Sequence, residues 1–446
     1  MRRRNRSLRV WRLRVWRVSA IVLAATVAAA TPVRAQMPSA AANGGDAAAA
    51  VRAPGATVDG LLVMAREMNP EVAAAALDTE AAMARVDAAG RLPDPTFETE
   101  FKDIERQRDS AVPAELARVE YKFQQQFPLW GKLGLQEDVA RAQAGAVRET
   151  QRATEWEVAA RIKTVFAAYY AAFEGGRLTQ DLFGTVSTLA QVTQSRYAQG
   201  LGEQEDAVRA ELEKTRLRTE LVRFDADRQR TAAQLNALLD RPEGAPLADP
   251  ESLRPVPEAL NIADLLERAR TDNPTVGAAQ SQIAAAEGDK ALVRKSWYPD
   301  VTLGVTFQQF VDQDQRSPGY EAMIGTTIPL QWGVREARER EAAANLAAAR
   351  RRRDQAAARV RGDLADAFHA LQGLQRVGTL LRDVQLPEAR LAFQTGLRGY
   401  EQGRSTLNTV LDTEQRVFET MLRLLAVQVE QQAQLAEIER LIGTDL

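Results

Sequence analysis

The sequence predicts an internally duplicated, mainly helical α+β fold in which pairs of amphipathic strands lead into long helices. Three observations carry this prediction. Short motifs recur in the same order about 200 residues apart, the apolar period switches twice from helical to strand-like, and long stretches without proline follow each switch. A period of this length far exceeds the roughly 20–50 residues of a solenoid repeat. Each copy is therefore expected to be a whole α+β unit.

The duplication is visible in four pairs of motifs, shifted by 201 to 206 positions. They are Asn69-Pro70 with Asn273-Pro274, Pro93-Asp94 with Pro299-Asp300, Pro128 with Pro329 in the Pro-Leu segments, and Tyr197–Gly200 with Tyr400–Gly403. We predict a first repeat over 57–240 and a second over 262–446. The intervening residues 241–261 are rich in proline and are expected to form an extended linker.

The N-terminal 35 residues have the pattern of a signal peptide. An arginine-rich stretch up to Arg17 precedes a short apolar run, Val18–Ala30, and Val33-Arg34-Ala35 resembles a cleavage site. The run is short for a membrane-spanning helix, which needs about 20 residues, so cleavage after Ala35 is favoured over a retained signal anchor. The chain has no cysteine to carry a lipid anchor. Residues 36–56, rich in alanine and glycine, are expected to be a disordered lead-in.

Composition excludes several functions. Subtracting the nine arginines of the signal peptide from 58 Lys and Arg leaves 49 basic against 60 acidic side chains, a net charge of about −11, which argues against a nucleic-acid partner. With no cysteine and one histidine, His369, the chain offers little for a transition-metal site or for nucleophile–histidine catalysis. No cofactor and no enzyme activity are expected. After Ala35 no run of 18 apolar residues remains.

Each repeat opens with two helices and a strand hairpin. In the first repeat a helix over 58–68 is followed by Asn69 as N-cap, with Pro70 at the first position of the next helix. Apolar and polar residues then alternate over 96–104 and 118–127, and again over 301–308 and 320–328. Strands of about ten residues with one apolar and one polar face are typical of transmembrane strands. A half-buried sheet in a soluble domain would alternate in the same way.

Long helices follow each hairpin. The first is predicted from Lys132 to about Gln199, with a potential break at Gly175-Gly176, and a return helix over 203–239. The second repeat gives 334–385, a kink or interruption at Pro387, then 388–399 and 405–442. The last helix carries two apolar rows spaced by 3 and 4, one through Val410, Glu414 and Val417 and one through Leu407 and Phe418. Two such seams indicate neighbours on two sides, in a ring or an ordinary bundle.

Four strands cannot close a barrel by themselves. Open edges in lipid would leave backbone groups unsatisfied, at several kcal/mol each, and the smallest outer-membrane barrels have about eight strands. If these strands cross a membrane, the barrel must be shared, with eight strands from two chains or twelve from three. The helices that follow would then continue the barrel as a cylinder.

These motifs in this doubled order resemble the TolC-like outer-membrane efflux proteins. The resemblance extends from about Val58 to the C-terminus and includes the Asn-Pro openings, the Pro-Asp strand starts, the Pro-Leu-Trp-Gly exit, the Tyr-x-x-Gly tips and Leu411–Arg416. It implies a homotrimer with a twelve-stranded barrel in outer-membrane lipid and an α-helical tunnel through the periplasm. It also implies docking to a periplasmic adaptor (membrane fusion) protein and an inner-membrane pump of the RND type. The segment Gln124–Lys132 is most similar to the branch paired with heavy-metal cation exporters.

The resemblance also implies a gate at the periplasmic tips. Position by position, Tyr400, Asp206 and Asp412 match the gate tyrosine, a tip acid and a ring of aspartates, and Arg404 lies one place before the usual arginine. Ser405 and Thr409 depart from the family pattern, which predicts a weaker cation filter and a different lock. Each of these residues could instead be an ordinary surface or turn residue.

The tip glycines Gly200 and Gly403 have two readings. They match the adaptor-docking turns of the family, and they could also simply end helices at positive φ.

The leading functional hypothesis is a passive outer-membrane exit duct of a tripartite efflux system. The alternatives are a soluble periplasmic coiled-coil scaffold or adaptor, and the same duct serving type I protein secretion. The sequence does not identify the substrate.

Overall fold

The computed structural model describes residues 54–102, 118–200, 202–257, 259–310 and 317–446. This part of the chain is mainly helical, with one four-stranded sheet. The helices are α1 (Val58–Met68), α2 (Pro70–Ala89), α3 (Lys132–Ala198), α4 (Gln204–Leu238), α5 (Ile262–Asp272), α6 (Pro274–Lys295), α7 (Trp332–Leu380), α8 (Leu386–Glu401) and α9 (Leu407–Ile442). The strands are β1 (Thr96–Lys102), β2 (Arg118–Phe127), β3 (Val301–Phe310) and β4 (Gly319–Thr326). The order helix, helix, strand, strand, long helix, return helix occurs before and after the linker, and the predicted domain boundaries stay a prediction.

The described residues begin just before α1. The predicted signal peptide and most of the predicted lead-in lie outside them. Pro54 and Ala56 accept backbone hydrogen bonds from Ala248 (2.9 Å) and Glu251 (3.0 Å) in the linker. These bonds join the end of the predicted lead-in to the linker, and the disorder predicted for residues 36–56 stays a prediction.

The two Asn-Pro motifs are equivalent helix caps, as predicted. The Oδ1 atom of Asn69 accepts from the backbone N–H groups of Glu71 (2.9 Å) and Val72 (3.0 Å) at the start of α2. Its Nδ2 donates to the Leu238 carbonyl at the end of α4 (2.8 Å). Asn273 repeats this with Val276 N–H (3.0 Å) and the Leu441 carbonyl (2.8 Å). Each asparagine thus fastens the second helix of its half to the end of the last helix.

The four strands form one antiparallel sheet in the order β1-β2-β3-β4. The register aligns Thr99, Tyr121, Phe307 and Tyr320 across it, and the Tyr121 and Phe307 rings stack with centroids 6.2 Å apart. The predicted strand pairing is confirmed, but β4 ends at Thr326 and Ile328 lies beyond it. In the single chain β1 and β4 each keep one edge without a strand partner among the described residues.

The long helix α3 runs unbroken for 67 residues, or about 100 Å at 1.5 Å per residue. The predicted break at Gly175-Gly176 is wrong, because glycine leaves the helical backbone bonds in place and weakens the helix by only about 1 kcal/mol. Gly175 instead gives room to the Phe224 ring of α4, which a side chain at this position would overlap. The glycine is a packing device between two antiparallel helices.

At Pro387 the sequence predicted a kink or an interruption, and the interruption is wrong because helical structure continues from α7 to α8. Between α7 and α8 the chain forms a π-helical segment, Leu381–Gln385, and the Leu386 N–H bonds back to the Leu381 carbonyl. Proline removes one backbone donor and crowds the preceding turn. The wider π turn just before Pro387 accommodates both effects.

Helix α9 has neighbours on two sides, which confirms the prediction from its two seams. On one side Phe418 packs with Val186 of α3 and Leu217 of α4. On the other side Gln431 donates to the Leu374 carbonyl of α7 (3.0 Å), and Gly396 of α8 adjoins Thr413. Larger clusters form the core of each half around Leu61 and Leu265.

A buried ionic cluster joins the two halves. Lys163 of α3 donates to Glu439 of α9 (2.8 Å) and to Asp445 near the C-terminus (2.6 Å). Arg254 of the linker binds both carboxylate oxygens of Glu439, at 2.8 and 3.1 Å. Lys163 is 3% exposed and Glu439 is fully buried. The cluster therefore ties the first half, the linker and the second half at one point.

Candidate functional site

The α3–α4 and α8–α9 hairpins both turn at a glycine with positive φ. Gly200 has φ +72° and Gly403 has φ +69°. Each donates its N–H to the tyrosine three residues earlier, Gly200 to Tyr197 (2.9 Å) and Gly403 to Tyr400 (3.0 Å). Positive φ, which glycine adopts without steric cost, therefore explains why glycine occupies both positions. A Cβ at either would meet no atom within 4 Å, so both turns are open on the single chain.

Tyr400 packs between the two hairpins. It lies against the cluster of Ala190, Ala210 and Leu407, which draws on α3, α4 and α9. The guanidinium of Arg196, in the last turn of α3, lies 5.6 Å from the centre of its ring. Arg196 was missed from the sequence, because a cation over an aromatic ring leaves no fixed spacing along the chain. The two residues bridge the hairpins at their tips.

The other predicted gate residues lie around the tips without contacting one another. Arg404 and Asp412 are exposed, and Asp206 is half-buried in the first turn of α4. Within the described residues of this chain Arg404 and Asp206 form no ion pair. Their contact stays a prediction, and it would have to join different copies of the chain.

Glu414 is a buried acid that the sequence analysis placed only in an apolar seam. It is 4% exposed, and neither carboxylate oxygen has a hydrogen-bond partner among the described residues. Burial and the nearby Glu213 raise the pKa of Glu414 to about 7, and Arg216 acts in the opposite direction. The signal was present in the sequence, since a glutamate occupied a seam position between Val410 and Val417.

The sheet has one charged face. On it Lys102 bonds to Glu120 (2.8 Å), Lys122 bonds to Glu100, and Arg118 lies 3.1 Å from Glu120. The charges alternate in sign along β1 and along β2. Directly opposed residues carry like charges, Lys102 with Arg118 and Glu100 with Glu120, so the ion pairs between the strands run diagonally and neutralise the row. Such a face suits a wetted surface that does not retain ions tightly.

The opposite face of the sheet is apolar and exposed. Phe97 is 66% exposed, Tyr320 75% and Ile324 80%. An apolar area of this kind marks a surface that contacts lipid or another protein.

The Pro-Asp and Trp-Gly-Lys motifs contact each other where the strands meet the helices. Trp130 donates its Nε1–H to the Pro299 carbonyl (2.8 Å), and its ring lies tilted against the Tyr298 ring with the centroids 5.3 Å apart. Lys132 donates to Asp300 (2.7 Å). The exit from the second strand is therefore fastened to the start of the third, and two of the motifs from which the duplication is predicted contact each other.

The residues that the structure describes contain neither a cluster suited to a metal ion nor a helix suited to span a membrane. No cluster of three or more His, Cys, Asp or Glu side chains in this part of the chain could hold a metal ion. None of the helices described is both long and apolar enough to cross a membrane.

Comparison with known proteins places the chain in context. The family model "Outer membrane efflux protein" matches residues 61–241 and 265–444 of the chain. The chain is 23% identical to the cobalt-zinc-cadmium resistance protein CzcC of Cupriavidus metallidurans, covering 87% of this chain and 90% of that protein. It is 26% identical to the pyoverdine export outer membrane protein OpmQ of Pseudomonas putida, covering 86% of each. The structure of the outer membrane protein VceC from Vibrio cholerae superposes with a TM-score of 0.74 at 18% identity, over 87% of this chain and 96% of that one.

Proposed function

The chain belongs to the outer membrane efflux protein family, whose members are transport ducts rather than enzymes, and from this premise we propose that it is the passive exit duct of a tripartite efflux system. The observation that carries the proposal is the sheet: one face is exposed and apolar, the other is charged, and neither edge strand has a second strand partner among the described residues. The sheet continues directly into helices as long as about 100 Å. A lipid-facing wall that leads into a helical tunnel explains all three features.

We propose that three copies assemble, so that twelve strands close the barrel. Pairing β1 of one copy with β4 of the next would satisfy both open edges. The helices have matching unfilled faces. Val377, Leu380, Val384 and Leu391 are exposed at spacings of 3, 4 and 7 along the end of α7, the π-helical segment and α8, and α4 exposes Val208, Leu212 and Val222. Apolar residues at heptad spacing on an uncovered helix face form a surface against which a neighbouring helix would pack. The duplication would make six near-equivalent units around the axis.

Assembly and location are tested by fractionation and mass measurement. The mature protein is expected to stay in the outer membrane after a carbonate wash and to have the mass of three chains in detergent. As a matched pair, Leu391→Glu should prevent assembly, whereas Leu77→Glu on α2, exposed to a similar degree (64% against 65%), should not. Recovery of a single chain in the periplasmic fraction would contradict the duct and favour the soluble scaffold.

We propose that the periplasmic end is closed at the tips by contacts between copies. Arg404 of one chain would bind Asp206 of the next, Tyr400 would hold the hairpins together, and three Asp412 carboxylates would converge on the axis. Converging carboxylates repel one another and attract cations. Gly200 and Gly403, with open space around them, would admit the hairpin of a periplasmic adaptor protein.

The gate is tested by single-channel current. Replacing Arg404 and Asp206 together by alanine is expected to raise the conductance severalfold, because the lock is lost. The control replaces Arg209 and Glu205, an exposed pair within α4 whose atoms lie 2.6 Å apart, and should leave the current unchanged. Equal currents in wild type and both double variants would show that Arg404 and Asp206 do not form the gate.

We propose that an inner-membrane pump of the RND type supplies the energy and that heavy-metal cations are the cargo. The relative CzcC, named for cobalt, zinc and cadmium resistance, supports this cargo, while OpmQ is named for pyoverdine export. Deletion of the gene should sensitise cells to cobalt, zinc or cadmium salts without lowering secreted siderophore. The opposite pattern would reassign the cargo, and loss of a secreted protein would indicate type I secretion.

A further inference from the structure

Glu414 lies in the region where the two tip hairpins of one chain pack together. Its neighbours along α9 are seam residues, Val410 on one side and Phe418 on the other, and both are buried. Glu414 is itself 4% exposed, and its two carboxylate oxygens have no hydrogen-bond partner in the described chain. A glutamine or an apolar residue would fill this position without the penalty of burying an acid.

The groups that surround Glu414 come from three helices. Helix α4 presents Glu213 and Arg216, and these are the charged side chains that act on the Glu414 pKa within the described residues. Arg216 is occupied by Glu213 through its Nε (2.8 Å), and its guanidinium lies 5.8 Å from the Phe418 ring.

The other two helices offer no compensating charge. Helix α3 contributes Val186 to the apolar cluster with Phe418. Helix α8 approaches through Gly396, which faces Thr409 and Thr413. Arg216 is therefore the one cation nearby in the described chain, and it is already committed to Glu213.

The protonation state of Glu414 decides whether this packing is favourable. A neutral carboxyl in an apolar seam costs little, but an ionised one without a partner is strongly disfavoured. The carboxylate would also repel Glu213. Separation of the α8–α9 hairpin from the α3–α4 hairpin would admit water to the charge and relieve both penalties.

We propose that Glu414 is a proton-binding site that holds the two tip hairpins together when it is protonated and loosens them when it is ionised. The consequence for transport rests on the proposed duct: its periplasmic end would open more readily as the surrounding pH rises through neutrality. The pKa of about 7 places the change within the range that an envelope open to the medium experiences. Perturbed acids of this kind cluster at functional sites.

The absence of cysteine from the chain permits a test that does not need a channel. The Ser187 hydroxyl oxygen on α3 is buried and has no hydrogen-bond partner among the described residues, so Ser187→Cys places a buried thiol on α3 one residue after Val186. Its labelling rate with a maleimide would be measured from pH 5 to 9, with Glu414 present and in the Glu414→Gln background. The thiol's own pH dependence cancels in the ratio of the two rates.

The expected ratio is near one at pH 5 and rises severalfold to a plateau above pH 8. Below the midpoint the ionised fraction of Glu414 changes about tenfold per pH unit. Glu419→Gln, at an exposed position of α9, is the matched control and should leave the pH profile as in wild type. A ratio that stays constant from pH 5 to 9 would overturn the proton site.

Single-channel current over the same pH range tests the consequence for transport. Current should rise with pH in wild type and in Glu419→Gln, and not in Glu414→Gln. The same rise in Glu414→Gln would overturn the link to gating even if a duct exists. A pH-dependent labelling ratio without any current would uphold the proton site and refute the duct instead.

Discussion

Replacing Glu439 by glutamine is expected to destabilise the protein by about 3 kcal/mol, since removing one partner of a buried ion pair costs about 3–5 kcal/mol and glutamine keeps one acceptor oxygen. Glu439 accepts from Lys163 (2.8 Å), twice from Arg254 and once from the Leu446 N–H (3.2 Å). The substitution leaves two cations facing a neutral amide, and Lys163 is 3% exposed. Asp445 can compensate only in part, because its side chain is 57% exposed.

A loss of about 3 kcal/mol in the free energy of unfolding shifts Tm by an amount that thermal unfolding can resolve. An unfolding entropy of about 2.1 cal/mol/K per residue, over the roughly 390 residues from position 57 to the C-terminus, gives about 0.8 kcal/mol/K. A loss of about 3 kcal/mol therefore lowers Tm by about 4 °C. Circular dichroism of the protein in detergent measures this shift. Lys163→Met combined with Glu439→Gln should cost less than the sum of the two single changes, because the residues share one interaction.

The control for this prediction is Glu437→Gln, two residues away on the same helix. Glu437 pairs with Arg440 within α9, at side-chain exposures of 37% and 33%, and such pairs contribute at most about 1 kcal/mol. A Tm for Glu439→Gln equal to that of Glu437→Gln would refute the view that the buried cluster fastens the two halves.

Three further predictions concern caps, helix packing and pH. Asn69→Ala and Asn273→Ala should each cost about 1–3 kcal/mol, from a lost cap and an unsatisfied carbonyl, and their effects on Tm should add; a large difference between them would contradict their equivalence. Gly175→Ala should cost about 1–3 kcal/mol through overlap with Phe224, and Phe224→Leu should restore most of it in the double variant; no rescue would mean that the glycine acts elsewhere. The pKa of Glu414 rises from 4.5 to about 7 on folding, so the folded state binds more protons in that window and stability falls by at most about 3 kcal/mol as pH increases from 4.5 to 7, then levels off. Tm measured at pH 5 and pH 8 should show this fall in wild type and not in Glu414→Gln, and an equal fall in both would assign it to other groups.

Local patterns predicted most of the elements because their determinants lie close together in sequence. Helix α1 and strand β2 occur with the predicted bounds, 58–68 and 118–127, since a period and its flanking breakers fix them. Asn69 and Asn273 were recognisable as caps from the proline that follows each. The doubled motifs also predicted two similar halves, although the tertiary contacts between those motifs were not foreseen.

The errors arose where tertiary packing decides the outcome. Gly175 and Pro387 are helix breakers by propensity, yet neither interrupts its helix: Gly175 gives room to the Phe224 ring of α4, and a π turn accommodates Pro387. The bridge between Arg196 and Tyr400 has no spacing rule. Glu414 was visible as a polar residue in an apolar seam, but its burial and missing partners required the positions of α3, α4 and α8. The contacts among the predicted gate residues are proposed to join different copies of the chain, so one chain does not test them.

A duct through the outer membrane formed by this chain is tested most directly by current through the purified mature protein in a planar lipid bilayer. We expect discrete, long-lived steps of small conductance that favour cations over anions, with a preference that weakens in Asp412→Asn. Failure of the three-chain assembly to insert, with no steps above the bare bilayer, would contradict it.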